Sequence, residues 1–238
     1  MYEEIVENIR RELKEKSVPQ VAETSSRFFK AGEKILVHGV RMAEVSKIGK
    51  SIYREIEALS KESIFEICEE LWKSKYIEEE VIACIFSESL HKKYEPADFN
   101  IFEHWLKDYV NNWADCDTLC NHTIGTFMMM YPSYVEELKR WAKTSYRWQK
   151  RGSAVTLIIP ARKGLFLKEI LEIADILLLD QDDLVQKGYG WMLKAAGESH
   201  QKEIFEYVMS KKAKMPRTAL RYAIEKMPKE LKSEAMKK

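Results

Sequence analysis

Val45-Ser46-Lys47-Ile48-Gly49-Lys50-Ser51-Ile52-Tyr53-Arg54-Glu55-Ile56-Glu57-Ala58-Leu59 decides the fold class. Its apolar residues at 45, 48, 52, 56 and 59 recur at intervals of three and four, one stripe of a helix and not the alternation of a strand. Upstream, Ile5, Ile9 and Leu13 repeat the spacing, and the first helix should end near Ser17-Val18-Pro19. Downstream, the same reading predicts helices at about 61–74, 77–92, 97–111, 115–130, 133–144, 146–159, 164–178, 181–197, 199–210 and 216–227. Pro96, Pro132 and Pro216 stand where helices would begin, a position that tolerates the missing N–H. Ser63-Ile64-Phe65-Glu66 has the form of a capping box, or else lies inside its helix. Only Val155–Ile159 has strand-like composition, and its basic helical flanks favour a buried helix.

Paired segments recur about every 35–40 residues across 60–210, near the length of a HEAT repeat. The expected fold is therefore all-α: a HEAT-like helical-repeat solenoid of antiparallel helix pairs with a concave basic face, residues 1–238 forming a single domain. An irregular helical bundle would give much the same sequence. In a curved solenoid one helix of each pair lines the concave face, which would gather 113–117, 147–151 and a later helix on one surface.

Composition narrows the class. The chain is 45% apolar and 32% charged, the balance of a soluble globular protein. The net charge of +1 conceals an asymmetry: Lys139 to Lys168 holds nine Lys and Arg and no acid, and 199–238 is also basic. A neutral total therefore does not exclude nucleic acid; it makes the basic surface local. Four cysteines, Cys68, Cys84, Cys116 and Cys120, do not make a disulfide framework in a chain of this length. Met1-Tyr2-Glu3-Glu4-Ile5 opens directly into a helical pattern, and the apolar stretches Ala154–Pro160 and Ile170–Leu179 are too short to span a bilayer. These features predict a reduced, cytoplasmic protein with no membrane partner.

Two clusters carry chemistry. In Trp113-Ala114-Asp115-Cys116-Asp117 an indole and a carboxylate lie four apart, on one helix face. About thirty residues later, Arg147-Trp148-Gln149-Lys150-Arg151 opens a cationic helix. An acid-free basic stretch with an indole–carboxylate pair suits a polyanion with a reactive, cationic centre. Each residue also has a plainer reading: Trp113 and Trp191 as core indoles, Asp117 as a cap or surface charge, Arg151 as part of a solvated face. Trp148 reads as core, being three before Arg151 and near the apolar Ala154–Leu157 side. Cys116, Cys120, His104 and His122 do not have a recognised zinc spacing, and the two cysteines suit a buried face. Met128-Met129-Met130 reads as flexible core filling. Gly188 and Gly190, inside one helix, mark close helix packing or close approach of a nucleic-acid backbone.

With these motifs in order, the chain resembles the AlkD-type alkylpurine DNA glycosylases, HEAT-like repeat proteins of the DNA alkylation repair family. The likeness runs through Trp113-x-x-x-Asp117, Trp148–Arg151 and Gln186–Trp191. It extends to Ser26-Arg27-Phe28-Phe29-Lys30 and to Arg217–Ile224, covering nearly the whole chain. The resemblance implies that Asp117 supports cleavage of the glycosidic bond. It also implies that Trp113 and Trp191 flank the lesion's deoxyribose and that Arg151 holds the backbone nearby. Arg147, Lys150, Lys187, Arg217 and Arg221 are the further cations expected on DNA phosphates. The chain departs from the family at Ala114, often acidic there, and at Phe28, often tyrosine. The implied partner is double-stranded DNA containing alkylated bases, met by a monomer with no cofactor and no metal. The alternative is a catalytically weak nucleic-acid-binding helical-repeat protein using the same groove; a scaffold for a protein partner is a third reading, disfavoured by the basic stretch.

The implied chemistry is self-consistent. N3- or N7-alkylation places positive charge on a purine and makes it a good leaving group. Its departure leaves an oxocarbenium-like sugar that a carboxylate stabilises electrostatically. A cationic base needs no general acid, so one carboxylate suffices. Indole faces add attraction of roughly 0.5–2 kcal/mol each.

Overall fold

A computed structural model describes residues 2–27, 29 and 35–237, Ser26 by its backbone alone. The fold is all-α, as the periodicity predicts, and helices pack mainly against others one to three places away in the chain. Among the described residues the only β pairing is an isolated parallel bridge between Leu36 and Tyr76. The chain divides into two compact units, residues 1–119 and 120–238.

The first unit contains α1 (Tyr2–Glu15), α2 (Pro19–Ser26), α3 (Met42–Ile56), α4 (Lys61–Lys73), α5 (Ile77–Ser89), α6 (Asp98–Asp108) and α7 (Trp113–Thr118). α3 buries Val45, Ile48, Ile52 and Ile56, four of the five residues of the predicted stripe, and lies against α5, whereas Leu59 falls past the end of the helix and is half-buried. Gly49 makes that approach possible: a Cβ there would stand 3.0 Å from Ile85 Cδ1. α4 begins at Ser60, whose hydroxyl accepts from Ser63 N at 3.1 Å, so Ser63–Glu66 lies inside the helix and is not its cap.

α5 opens with Glu78-Glu79-Glu80, and all three are buried, at 2%, 1% and 1% exposure. Glu78 accepts from the backbone N–H groups of His38, Gly39 and Val40 at 2.8–3.0 Å. That turn is open to glycine because Gly39 has φ +83°. Glu79 binds Arg10 at 3.1 Å and His38 Nε2 at 2.8 Å. A helix N-terminus favours carboxylates, and here it uses them to fasten α1 and the 38–40 loop to α5. Glu80 faces α7 instead.

The second unit contains α8 (Gly125–Met130), α9 (Val135–Ala142), α10 (Arg147–Val155), α11 (Ile158–Arg162) and α12 (Leu167–Leu177). It continues with α13 (Asp183–Ala196), α14 (Gln201–Lys211), α15 (Arg217–Ala223) and α16 (Lys229–Met236). α13 is its centre, packing against α10, α11, α12 and α15. A Cβ on Gly190 would sit 2.7 Å from Tyr222 Cβ and 2.9 Å from the Ala219 carbonyl oxygen, so α15 crosses there on bare backbone. The two helical glycines therefore serve helix packing.

Several expected boundaries shift. The span 115–130 is not one helix: α7 ends at Thr118, Leu119–Ile124 is π-helical, and α8 follows. The span 146–159 divides into α10 and α11 around Thr156 and Leu157, with Val155 and Leu157 fully buried, so the strand-like stretch is helical core. Of the three consecutive methionines only Met128 is core; Met130 is 39% exposed. α2 and α16 were not foreseen. Trp148, Cys116 and Cys120 are buried, as read.

Candidate functional site

In the first unit the site is built on α7. Asn112 caps the helix: its Oδ1 accepts from Ala114 N at 2.9 Å and Asp115 N at 3.1 Å. Its Nδ2 donates to Asp115 Oδ2. Helical spacing then puts Trp113 and Asp117 on one face, and both are half-buried, whereas Asp115 and Cys116 are 1% and 0% exposed. The two nearby carboxylates thus differ in burial: Asp115 is fully buried and Asp117 is half-buried. The Trp113 indole stacks on Phe29, ring centres 5.6 Å apart and planes 27° from parallel. Phe28, the other aromatic of that N-terminal motif, lies outside the described residues.

In the second unit α10 and α13 carry the expected residues. Arg151 is 5% exposed and its Nη1 donates to the Leu184 carbonyl at 2.5 Å. Its stem crosses Gly188, where a Cβ would meet Arg151 Cγ at 3.3 Å. Arg151 is thus inserted in the α10–α13 seam, far from the solvated helix face of its plainer reading. Trp191, half-buried, follows Lys187 by four residues and shares its face of α13.

The acid-free stretch is not an acid-free surface. The α12–α13 connection supplies Asp180 and Asp182, and the first turn of α13 supplies Asp183: Lys150 pairs with Asp180 at 2.6 Å, Arg147 with Asp182, and Lys187 with Asp183 at 2.7 Å. Lys139 pairs with Glu136 and Glu172, Arg140 with Glu137, Arg162 with Glu198, and Lys168 with Glu172. The exposed pairs among these contribute about 0–1 kcal/mol each, so phosphates can compete for their cations; Lys150–Asp180 is part-buried. Arg217 and Arg221, both exposed on α15, have no ion pair among the described residues.

Sequence reasoning missed three things here: Asn112 as the cap, the Phe29 stack, and Glu80. Asn112 had a signal, being a capping residue type directly before the helix. The other two depend on contacts across the fold. Among the described residues no group of three or more His, Cys, Asp and Glu is placed to hold a metal ion, and no helix is long and apolar enough to cross a membrane.

The described residues thus form an all-helical fold, with a carboxylate and an indole sharing one face of α7 in the first unit and a buried arginine between α10 and α13 in the second. The sequence profile of the DNA alkylation repair enzyme family matches residues 9–227, and the chain belongs to that family. Its fold is shared with a solved structure described as a predicted DNA alkylation repair enzyme from Enterococcus faecalis. The two superpose with a TM-score of 0.79 over 90% of this chain and 98% of that one, at 14% identity. No curated protein matches the sequence.

Proposed function

We propose that this DNA alkylation repair enzyme is a glycosylase that removes cationic N3- and N7-alkylated purines from double-stranded DNA. The observation that carries the reading is that Trp113 and Asp117 share one half-buried face of α7 while Asp115 is fully buried. In the reaction the C1′–N bond breaks with its electrons passing to the purine, which neutralises the base's positive charge. Asp117 stabilises the sugar cation left behind, and the Trp113 indole adds to that field. Water then bonds to C1′ and releases a proton to solvent, leaving an abasic site. Family resemblance supports assigning Trp191 and Arg151 to the same substrate, and Arg147, Lys150, Lys187, Arg217 and Arg221 to phosphates. Because Arg151 is buried, it acts in this reading as much by holding α10 on α13 as by its charge.

The test is release of 7-methylguanine or 3-methyladenine from methylated DNA by the purified protein. Release by the wild type and its slowing in Asp117→Asn support the assignment. Binding without release would favour the catalytically weak DNA-binding alternative.

A further inference from the structure

Glu80 and Asp115 form a buried carboxyl pair that the proposed chemistry does not use. Each is 1% exposed, one on α5 and the other on α7, and the two helices pack together. Both Glu80 oxygens and Asp115 Oδ1 are buried and meet no N–H or O–H donor among the described residues. The two carboxyls lie within hydrogen-bonding reach of each other, and Asn112 donates to the remaining Asp115 oxygen. Two ionised carboxylates in contact, out of water and with three of their four oxygens lacking a donor, would be strongly unfavourable. One proton between them removes a charge and supplies the missing donor.

We propose that Glu80 and Asp115 share one proton and serve as a pin for α7, positioning the helix that presents Trp113 and Asp117. The surroundings agree. Burial raises Glu80 well above the usual carboxylate range, the Asp115 charge adds to it and Glu79 acts in the same direction, with Lys75 opposing. Burial raises Asp115 too, against the Glu80 and Asn112 hydrogen bonds and the Lys75 charge. Glu80 therefore keeps the proton, and Asp115 accepts it. A metal ion would need further ligands that the described acid, His and Cys side chains do not provide.

The pin rests on the proposed function only in assigning Trp113 and Asp117 their use, so its test is independent of excision. Infrared spectra of the whole protein near pH 8, where exposed carboxyls are ionised, should contain the carbonyl stretch of a neutral carboxylic acid, lost in Glu80→Gln. The second readout is acrylamide quenching in a Trp191→Phe background, where Trp113 is the one half-exposed indole left, since Trp72, Trp105, Trp141 and Trp148 are buried. Glu80→Leu, which removes the donor, should raise that quenching. Glu80→Gln, whose amide donates in place of the acid, should leave it as in the parent. Absence of the acid band in the wild type, or unchanged quenching in Glu80→Leu, overturns the pin. If Glu80→Leu does not fold, the infrared comparison with Glu80→Gln decides alone. Failure of the wild type to release any base would instead refute the proposed function and leave both readouts intact.

Discussion

Asp115 and Asp117 are two residues apart on a single turn of helix and meet opposite surroundings. Asp115 is closed in by Asn112 and Glu80, while Asp117 shares a half-buried face with Trp113. An α-helix turns about 200° over two residues, so one backbone commits the pair to different tasks.

Substituting the two should separate those tasks. Asp117→Asn is expected to slow base excision on the order of 10–1000-fold with an unchanged melting temperature, the loss sitting low in that range because the lesion's charge already weakens its bond. Asp115→Asn keeps a donor–acceptor contact with Glu80 and should leave excision near wild type. Single-turnover rates on methylated DNA measure both; equal effects would mean that the carboxylate is assigned to the wrong face.

The shared proton predicts a sign for the pH dependence of stability. Glu80 and Asp115 both have folded-state values raised above those of an unfolded chain. The pair's contribution is therefore complete below the ordinary carboxylate range and is lost as pH rises from there through neutrality. Each proton the fold retains and the unfolded chain releases tilts stability by about 1.4 kcal/mol per pH unit. Urea melts of Glu80→Gln between about pH 5 and 8 should give a flatter profile than wild type. A wild-type profile no steeper than the variant's would remove the retained proton.

Gly190 and Gly197 make a matched pair. Gly190→Ala drives a methyl to 2.7 Å from Tyr222 Cβ and 2.9 Å from a backbone oxygen, and should cost about 1–3 kcal/mol. Gly197→Ala meets nothing nearer than 3.4 Å and should be neutral or stabilising by up to about 1 kcal/mol. Thermal denaturation compares them; equal losses would contradict the close α13–α15 crossing.

Removing a competing acid should tighten DNA binding. Asp182→Asn keeps a side-chain oxygen for the cap on Leu184 N but releases Arg147. Low-salt titration with duplex DNA should show higher affinity than wild type, and no gain would take Arg147 off the DNA surface.

What was legible in the sequence was local. Val45, Ile48, Ile52 and Ile56 form a buried stripe that periodicity alone predicts, while Leu59, next in the pattern, lies past the helix end. Helical spacing alone also sets Asp115 about 200° from Asp117. α2 and α16 escaped because neither carries a stripe; α16 buries only Ala235. Glu78-Glu79-Glu80 resembles a solvated first turn, and its burial is set by partners such as His38 and Asp115, some 35–41 residues away in sequence. The basic stretch misled in the same way: Arg147 finds Asp182 across 35 residues, which no local count of charge can register.

That last pairing changes what a salt titration would count. When a lysine or arginine meets a phosphate, the ions conventionally released are those condensed on the DNA, and the slope is read as a tally of contacts. Asp180, Asp182 and Asp183 are counterions tethered to the protein: displaced from Lys150, Arg147 and Lys187 they cannot diffuse away, and they draw mobile cations back to themselves. Part of the release is thereby cancelled on the protein side. The apparent number of phosphates engaged would then fall short of the number of basic side chains touching DNA, and the gap would close as those three aspartates are replaced by asparagine.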